Sequence, residues 1–218
     1  MLTEDYLIRM INLAIAALLR LAKLRREGQI EPAQELIDIT LQQLTGLRPH
    51  LIKQLEDERL YHILTRHERL DTQRLAIIAE LFEMEGDLLA QQGRESDSLD
   101  SHARALRYYL EACFQDAQAG EDTSALRERI DALAGRLDLA RLGADTLWPL
   151  AGYYEEQGAF TLAEEALRLL WGRADTRDAI QPELIAFYRR LLEKPAEEIA
   201  RAGMDMDILR GRLAELHE

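Results

Sequence analysis

Helix-forming residues fill almost every segment of this chain, and no segment alternates polar and apolar residues as a half-buried strand must. Leu, Ala, Glu, Arg and Gln dominate, whereas β-branched residues are sparse. We therefore expect an all-α fold of about ten helices. Their predicted bounds are 4–27, 30–45, 48–66, 70–92, 99–118, 123–142, 144–157, 159–173, 178–193 and 196–216.

Glycines stand where most of these helices are expected to end, because a helix commonly closes on a residue in the left-handed conformation. These glycines are Gly28, Gly46, Gly93, Gly120, Gly143, Gly158 and Gly172. The connections are short, so neighbouring helices are expected to pack as antiparallel hairpins.

The polar segment 94–101, rich in Ser and Asp, is the exception, and its composition predicts a loop. No segment resembles a linker between domains. We predict one domain over 1–218, with possible sub-units at 1–66, 70–142 and 144–218.

The segment 147–167 resembles a tetratricopeptide repeat. Ala151 and Ala163 suit the close crossing of two helices, and Gly158 suits the turn between them. Related patterns surround Gly28 and Gly93. The resemblance implies antiparallel hairpins stacked as a tetratricopeptide-like right-handed superhelix, whose first helices line a concave groove.

In the copy around Gly93, the interval to the next small crossing residue is longer than in the other copies. The segment 94–101 is therefore expected to be an insertion at the tip of that hairpin. The opening from Glu4 to Ile11 resembles the start of a family of uncharacterised bacterial helical proteins. That second resemblance implies a helical fold and brings no activity, substrate or catalytic residue with it.

The net charge of −13, from 40 acidic and 27 basic side chains, argues against binding to nucleic acid, which requires a basic face. The single cysteine, Cys113, excludes a disulfide framework. The acidic amino terminus lacks the features of a secretory signal, and no apolar run reaches the roughly 20 residues of a membrane span. We expect a cytoplasmic protein that binds neither nucleic acid nor membrane.

The motifs of several catalytic classes are absent. No Gly-Lys pair is present for a phosphate-binding loop, and no serine lies in a Gly-x-Ser-x-Gly motif. None of the histidines has the carboxylate three residues earlier that helical metal sites use. The histidines are His50, His62, His67, His102 and His217. We therefore expect a protein without catalytic activity, cofactor or metal.

Three carboxylates, Glu80, Glu83 and Asp87, share one helix face because they lie at i, i+3 and i+7. Such a cluster suits a cation or acid–base chemistry, but the solvated face of an amphipathic helix has the same pattern. By the tetratricopeptide resemblance, the residues facing the groove include Glu80, Glu83, Asp87, Trp148, Glu155 and Glu156. This groove is acidic, which predicts a basic or apolar partner segment.

The first helix is apolar on nearly all sides from Met10 to Ala22. One neighbouring helix covers only one face, so a second apolar face must be buried by later helices, by a second copy or by another protein. We expect self-association through Ile11, Ile15 and Leu18, giving a homodimer.

These observations favour a non-catalytic protein-protein interaction module or scaffold that binds a protein or peptide. The alternative is a small-ligand-binding regulatory protein, or an enzyme that uses the carboxylate cluster around Glu80 and Asp87.

Overall fold

A computed structural model describes residues 2–66 and 69–216, with side chains over 9–65 and 69–216. The chain divides into two compact units, Met1–Leu137 and Asp138–Glu218. The predicted boundary between 142 and 144 falls close to this division. The single domain expected from the sequence stays a prediction.

The fold is all-α, as the sequence predicts, with twelve α-helices in the described residues rather than about ten. The first unit consists of α1 (Leu2–Arg26), α2 (Ile30–Thr45), α3 (Pro49–Gln54), α4 (Asp57–Leu64), β1 (Thr65–Arg66), β2 (Arg69–Leu70), α5 (Thr72–Gln91), α6 (Glu95–Ala119) and α7 (Ser124–Ala134). The second consists of a 3-10 turn (Leu139–Arg141), α8 (Ala144–Glu156), α9 (Phe160–Trp171), α10 (Arg177–Leu192), α11 (Ala196–Arg201) and α12 (Met206–Glu215).

The first unit contains two helical hairpins, and α5 of the second hairpin lies at its centre. The helices α1 and α2 turn at Gly28, and α5 and α6 turn at Gly93, each glycine having the positive φ that closes a helix. Helix α5 packs against α1, α2 and α4 as well as α6. Its apolar side chains, including Leu75, Ile78 and Phe82, are buried, so α5 is the central element of this unit.

The prediction of a loop over 94–101 is wrong, because α6 begins at Glu95. The Arg94 guanidinium donates to the Asp97 carboxylate at 2.7 Å, and Ser98 is buried with its hydroxyl donating to the Gly86 carbonyl of α5 at 2.8 Å. Short polar and acidic residues suit the first turns of a helix, where N–H groups lack partners. The extra residues therefore lengthen α6 and are not an insertion at the hairpin tip.

The predicted helix 48–66 is also interrupted. Leu55 and Glu56 are extended, which separates α3 from α4, and α4 is followed by the two-residue strands of a small antiparallel hairpin that the sequence did not indicate. The predicted helix 123–142 ends at Ala134, and the predicted helix 196–216 breaks at Gly203, whose φ is positive.

The second unit is built on the hairpin of α8 and α9, which turns at Gly158. Ala151 and Ala163, which the sequence places at the helix crossing, are both buried. Helix α10 packs against α9 and α12, with Phe187 and Tyr188 buried.

Helices α5 and α6 approach so closely at Gly86 that a Cβ added there would overlap the imidazole ring of His102. Gly86→Ala is therefore expected to lower the free energy of unfolding by about 1–3 kcal/mol, measured by urea denaturation. The matched control is Gly152→Ala in α8, where an added Cβ meets open space. That change should be neutral or stabilising by up to about 1 kcal/mol; equal effects of the two substitutions would contradict this account.

Candidate functional site

The residues predicted to face the groove lie in two places. Glu80, Glu83 and Asp87 are on α5 in the first unit, whereas Trp148, Glu155 and Glu156 are on α8 in the second.

On α5, two carboxylates are engaged by arginines from the region of α7. Arg129 donates to Glu80 at 2.7 Å, and Arg136 donates to Glu83 at 2.7 Å. The Tyr109 hydroxyl, from α6, donates to the other oxygen of Glu83 at 3.1 Å. These carboxylates therefore connect α5 with its neighbours.

Asp87 has three side-chain partners. It accepts from Arg25 of α1, from Arg136 at 3.2 Å, and its Oδ1 lies 3.1 Å from Nε2 of His102. Burial alone would raise the pKa of Asp87, but the hydrogen bond with His102 and the charges of Arg136 and Arg25 outweigh burial and hold the pKa below its ordinary value. Asp87 thereby links α5 to α1, to α6 and to the segment after α7.

The face that these carboxylates share is thus paired with basic groups, and the acidic character expected of it is largely cancelled. The sequence carries a signal that points to this pairing. Glu80 and Asp87 are seven residues apart, and so are Arg129 and Arg136, so the acidic and the basic side chains have the same spacing in the sequence. Only the fold shows that α5 meets α7 and the segment that follows it.

A chain of side chains from Ser98 through His102 to Asp87 resembles the order of a nucleophile, base and orienting acid. The Ser98 Oγ lies 3.4 Å from Nδ1 of His102, but Ser98 is buried and its hydroxyl donates to the Gly86 carbonyl. A hydroxyl in this position has no access to a substrate, so the three residues stabilise the crossing of α5 and α6. The sequence does not indicate that His102 contacts Ser98 and Asp87.

Over the described residues, no group of three or more His, Cys, Asp or Glu side chains is placed to hold a metal ion. His67 and His217 lie outside the described residues. Cys113 is buried in α6.

On α8, Trp148 is 46% exposed, and Pro149 and Gly152 beside it are exposed as well. Glu155 is held by Arg190 of α10, which donates to its two carboxylate oxygens at 2.7 and 2.8 Å. This α8 surface therefore offers an exposed aromatic ring. The ion pair of Glu155 with Arg190 connects α8 to α10.

The residues expected to mediate self-association do not share an exposed face. Ile11 and Leu18 are 6% and 8% exposed and pack within the first unit, so their assignment to an outer contact is wrong. Ile15 is 44% exposed, together with Leu13 at 57% and Leu19 at 72%, which the sequence analysis missed. A helix that is apolar on nearly all sides has no periodicity to show which face is covered.

We call the exposed residues Asn12, Leu13, Ile15, Ala16 and Leu19 the α1 outer face. They lie on two successive turns of one side of the helix, opposite the side that packs on α2 and α5. Three large apolar side chains on one helix form a patch that folding of this unit leaves uncovered.

A second apolar surface lies at α3 and α4. It is an open depression of about 670 Å³ whose apolar lining includes Leu47, Leu51, Leu55 and Ile63, and His62 also lines it. Of its apolar lining, Leu51 is 45% and Ile63 is 37% exposed, whereas Leu47 and Leu55 are half-buried.

Comparison with protein-family models, with curated proteins and with solved structures finds no match for this chain. The tetratricopeptide resemblance and the resemblance of the opening to a bacterial family therefore stay predictions. Among the described helices, none is both long and apolar enough to cross a membrane.

The ion pairs of Asp87 predict a specific acid dependence. Because its pKa is lowered in the folded protein, ionised Asp87 contributes stability that is complete above the unfolded carboxyl pKa of about 4 and is lost as pH falls through the lower folded value. Asp87→Asn should lower the free energy of unfolding by about 1–3 kcal/mol at neutral pH. The deficit should shrink below about pH 4, as measured by urea denaturation across pH.

Glu156→Gln is the control, because Glu156 is exposed. It should change stability by less than about 0.5 kcal/mol at any pH. A deficit for Asp87→Asn that does not vary with pH would contradict the role assigned to the carboxylate charge.

Proposed function

We propose that this protein is a non-catalytic protein-interaction module. The observation that carries the proposal is the α1 outer face, where Leu13, Ile15 and Leu19 stay exposed although the opposite side of the helix is packed. The proposal includes a bacterial cytoplasmic location, which rests on the sequence expectations alone.

The area left uncovered on α1 is enough to contribute to binding. Burying a large aliphatic side chain is worth about 1.5–3 kcal/mol, so the exposed fractions of these three side chains amount to about 3–5 kcal/mol. Micromolar binding needs about 8 kcal/mol, so a partner must add further contacts at the rim of the patch.

The carboxylates offer less support for a catalytic role. An enzyme or ligand site built on Glu80 and Asp87 requires at least one of them to be available to a substrate, and both are held by arginine side chains. Their spacing and burial suit the stabilisation of α5, so the interaction module remains the better proposal.

Capture from a cell lysate of the source organism tests this proposal, with the full chain as bait and mass spectrometry as the readout. Leu13→Ser/Leu19→Ser should abolish capture of a partner that binds the α1 outer face, because it removes most of the exposed apolar surface. The matched control is Leu162→Ser/Ile208→Ser, which changes two exposed apolar residues of the second unit.

A partner retained by the control variant and lost by the α1 variant is the expected result. Both variants should keep the helical circular dichroism of the wild type, since all four side chains are exposed. Equal capture by the wild type and the α1 variant would overturn the assignment of the interaction to this face.

The hypothesis of an acidic groove suggests testing Glu83→Lys or Glu155→Lys. Neither change tests partner binding as clearly as the α1 variant does. Each carboxylate forms a hydrogen-bonded ion pair with an arginine. Charge reversal there would set like charges together, so a loss of binding would not separate altered contact from altered folding.

A further inference from the structure

Helix α1 differs in charge from the rest of the chain. It carries five basic residues, all between Arg9 and Arg26, and two acidic residues, Glu4 and Asp5, in its first turn, although the whole chain has a net charge of −13. Arg25 pairs inward with Asp87, whereas Arg9, Arg20 and Lys23 are exposed.

These basic residues lie at the two ends of the α1 outer face. Arg9 precedes Leu13 by one turn, and Lys23 follows Leu19 by one turn, while Arg20 flanks Leu19. At 1.5 Å per residue, the Cα atoms of Arg9 and Lys23 are about 21 Å apart, with the apolar patch between them. From Arg9 to Lys23, the part of α1 whose side chains are described, the surface is therefore apolar at its centre and basic at both ends.

We propose that the α1 outer face binds an acidic amphipathic helix of another protein, a proposal that rests on the interaction role proposed above. The partner presents apolar side chains at i, i+3 or i+4, and i+7 to Leu13, Ile15 and Leu19. It presents Asp or Glu about one turn beyond each end of that stripe, where they pair with the basic ends of α1.

A helix suits this surface better than an extended peptide does. The side chains of α1 form ridges into which a second helix packs, and a helix satisfies its own backbone hydrogen bonds while it covers an apolar patch. An extended peptide that binds by strand addition needs a sheet edge for its backbone, and α1 provides none.

Charge argues against a second copy of this chain as the occupant. A two-fold antiparallel pairing centred on Ala16 sets Leu13 of one copy opposite Leu19 of the other. It also sets Arg9 of one copy opposite Lys23 of the other, so like charges meet at both ends of the contact.

An anionic membrane surface fits less well than a single helix. A membrane is an extended plane and repels the other acidic surfaces of a chain with net charge −13, whereas a bound helix meets α1 alone. Three large apolar side chains are also a small area for insertion into an interface.

One internal contact competes with the proposed partner. Lys23 lies 3.8 Å from Glu27 in an exposed i, i+4 pair. Exposed pairs of this kind contribute little to stability, so a carboxylate of the partner displaces Glu27 at small cost.

Two designed helical peptides with the same apolar stripe test the proposal on the full chain. One carries Glu at all exposed positions outside the stripe, and the other carries Lys at the same positions. Fluorescence anisotropy at about 50 and about 300 mM NaCl measures their binding. The net charge of the protein favours the Lys peptide, whereas the local charge of α1 favours the Glu peptide, so the two accounts predict opposite orders of affinity.

We expect the Glu peptide to bind at least about tenfold more tightly than the Lys peptide, with an affinity that falls as salt increases. Leu13→Ser/Leu19→Ser should remove this binding and thereby locate it on α1. Arg20→Glu/Lys23→Glu should weaken the Glu peptide by about tenfold or more and strengthen the Lys peptide at the same face. The control Arg141→Glu/Arg201→Glu, at exposed basic residues of the second unit, should leave both affinities unchanged.

Equal binding of the two peptides at α1, tighter binding of the Lys peptide there, or binding of neither would overturn the proposal. Sedimentation equilibrium showing a dimer that Leu13→Ser/Leu19→Ser dissociates would assign the face to a second copy instead. Binding to phosphatidylserine vesicles that the same variant loses would assign it to a membrane.

Lysate capture separates failure of this proposal from failure of the broader one. A captured partner that is lost in Leu13→Ser/Leu19→Ser but kept in Arg20→Glu/Lys23→Glu leaves the interaction module intact and rejects an acidic partner. Capture that neither variant changes rejects the α1 face as an interaction site altogether.

Discussion

The first unit depends on the close crossing of α5 and α6. Gly86 lets the His102 ring lie directly against the α5 backbone, and the buried Ser98 hydroxyl fixes the depth of the crossing through the Gly86 carbonyl. This approach brings Nε2 of His102 to the Asp87 carboxylate. A larger residue at Gly86 would push α5 and α6 apart. It would thereby disrupt the contacts of Ser98 with Gly86 and of His102 with Asp87.

The polar contacts around α5 illustrate how a helix with a row of carboxylates is accommodated in a packed unit. A partly buried carboxylate is costly unless a charged or hydrogen-bonding partner compensates for lost hydration. Arg25 of α1, Arg129 of α7 and Arg136 of the segment after α7 provide that compensation. Arginine suits this position because its planar guanidinium donates to two carboxylates at once, as Arg136 does to Glu83 and Asp87.

Local patterns predicted much of the fold, and long-range contacts account for what they missed. The bounds of α2 and the turns at Gly28 and Gly158 follow from periodicity and glycine placement, which act within a few residues. Composition failed at Ser98, because a Ser- and Asp-rich segment suits a loop and a helix start equally well. The pairing of Glu83 with Arg136 joins residues more than 50 positions apart, and the exposure of Leu19 depends on which side of α1 the rest of the unit covers. No pattern within one helix contains that information.

The inward ion pair of Arg25 with Asp87 has a consequence for the opposite side of α1. It anchors the last turn of that helix to the centre of the unit, so the outward side chains are displayed on a backbone that is already ordered. A flexible segment loses conformational entropy when it binds. When one surface is already ordered, only its partner loses conformational entropy on binding. In the proposed complex, α1 is therefore a preformed template for the partner helix.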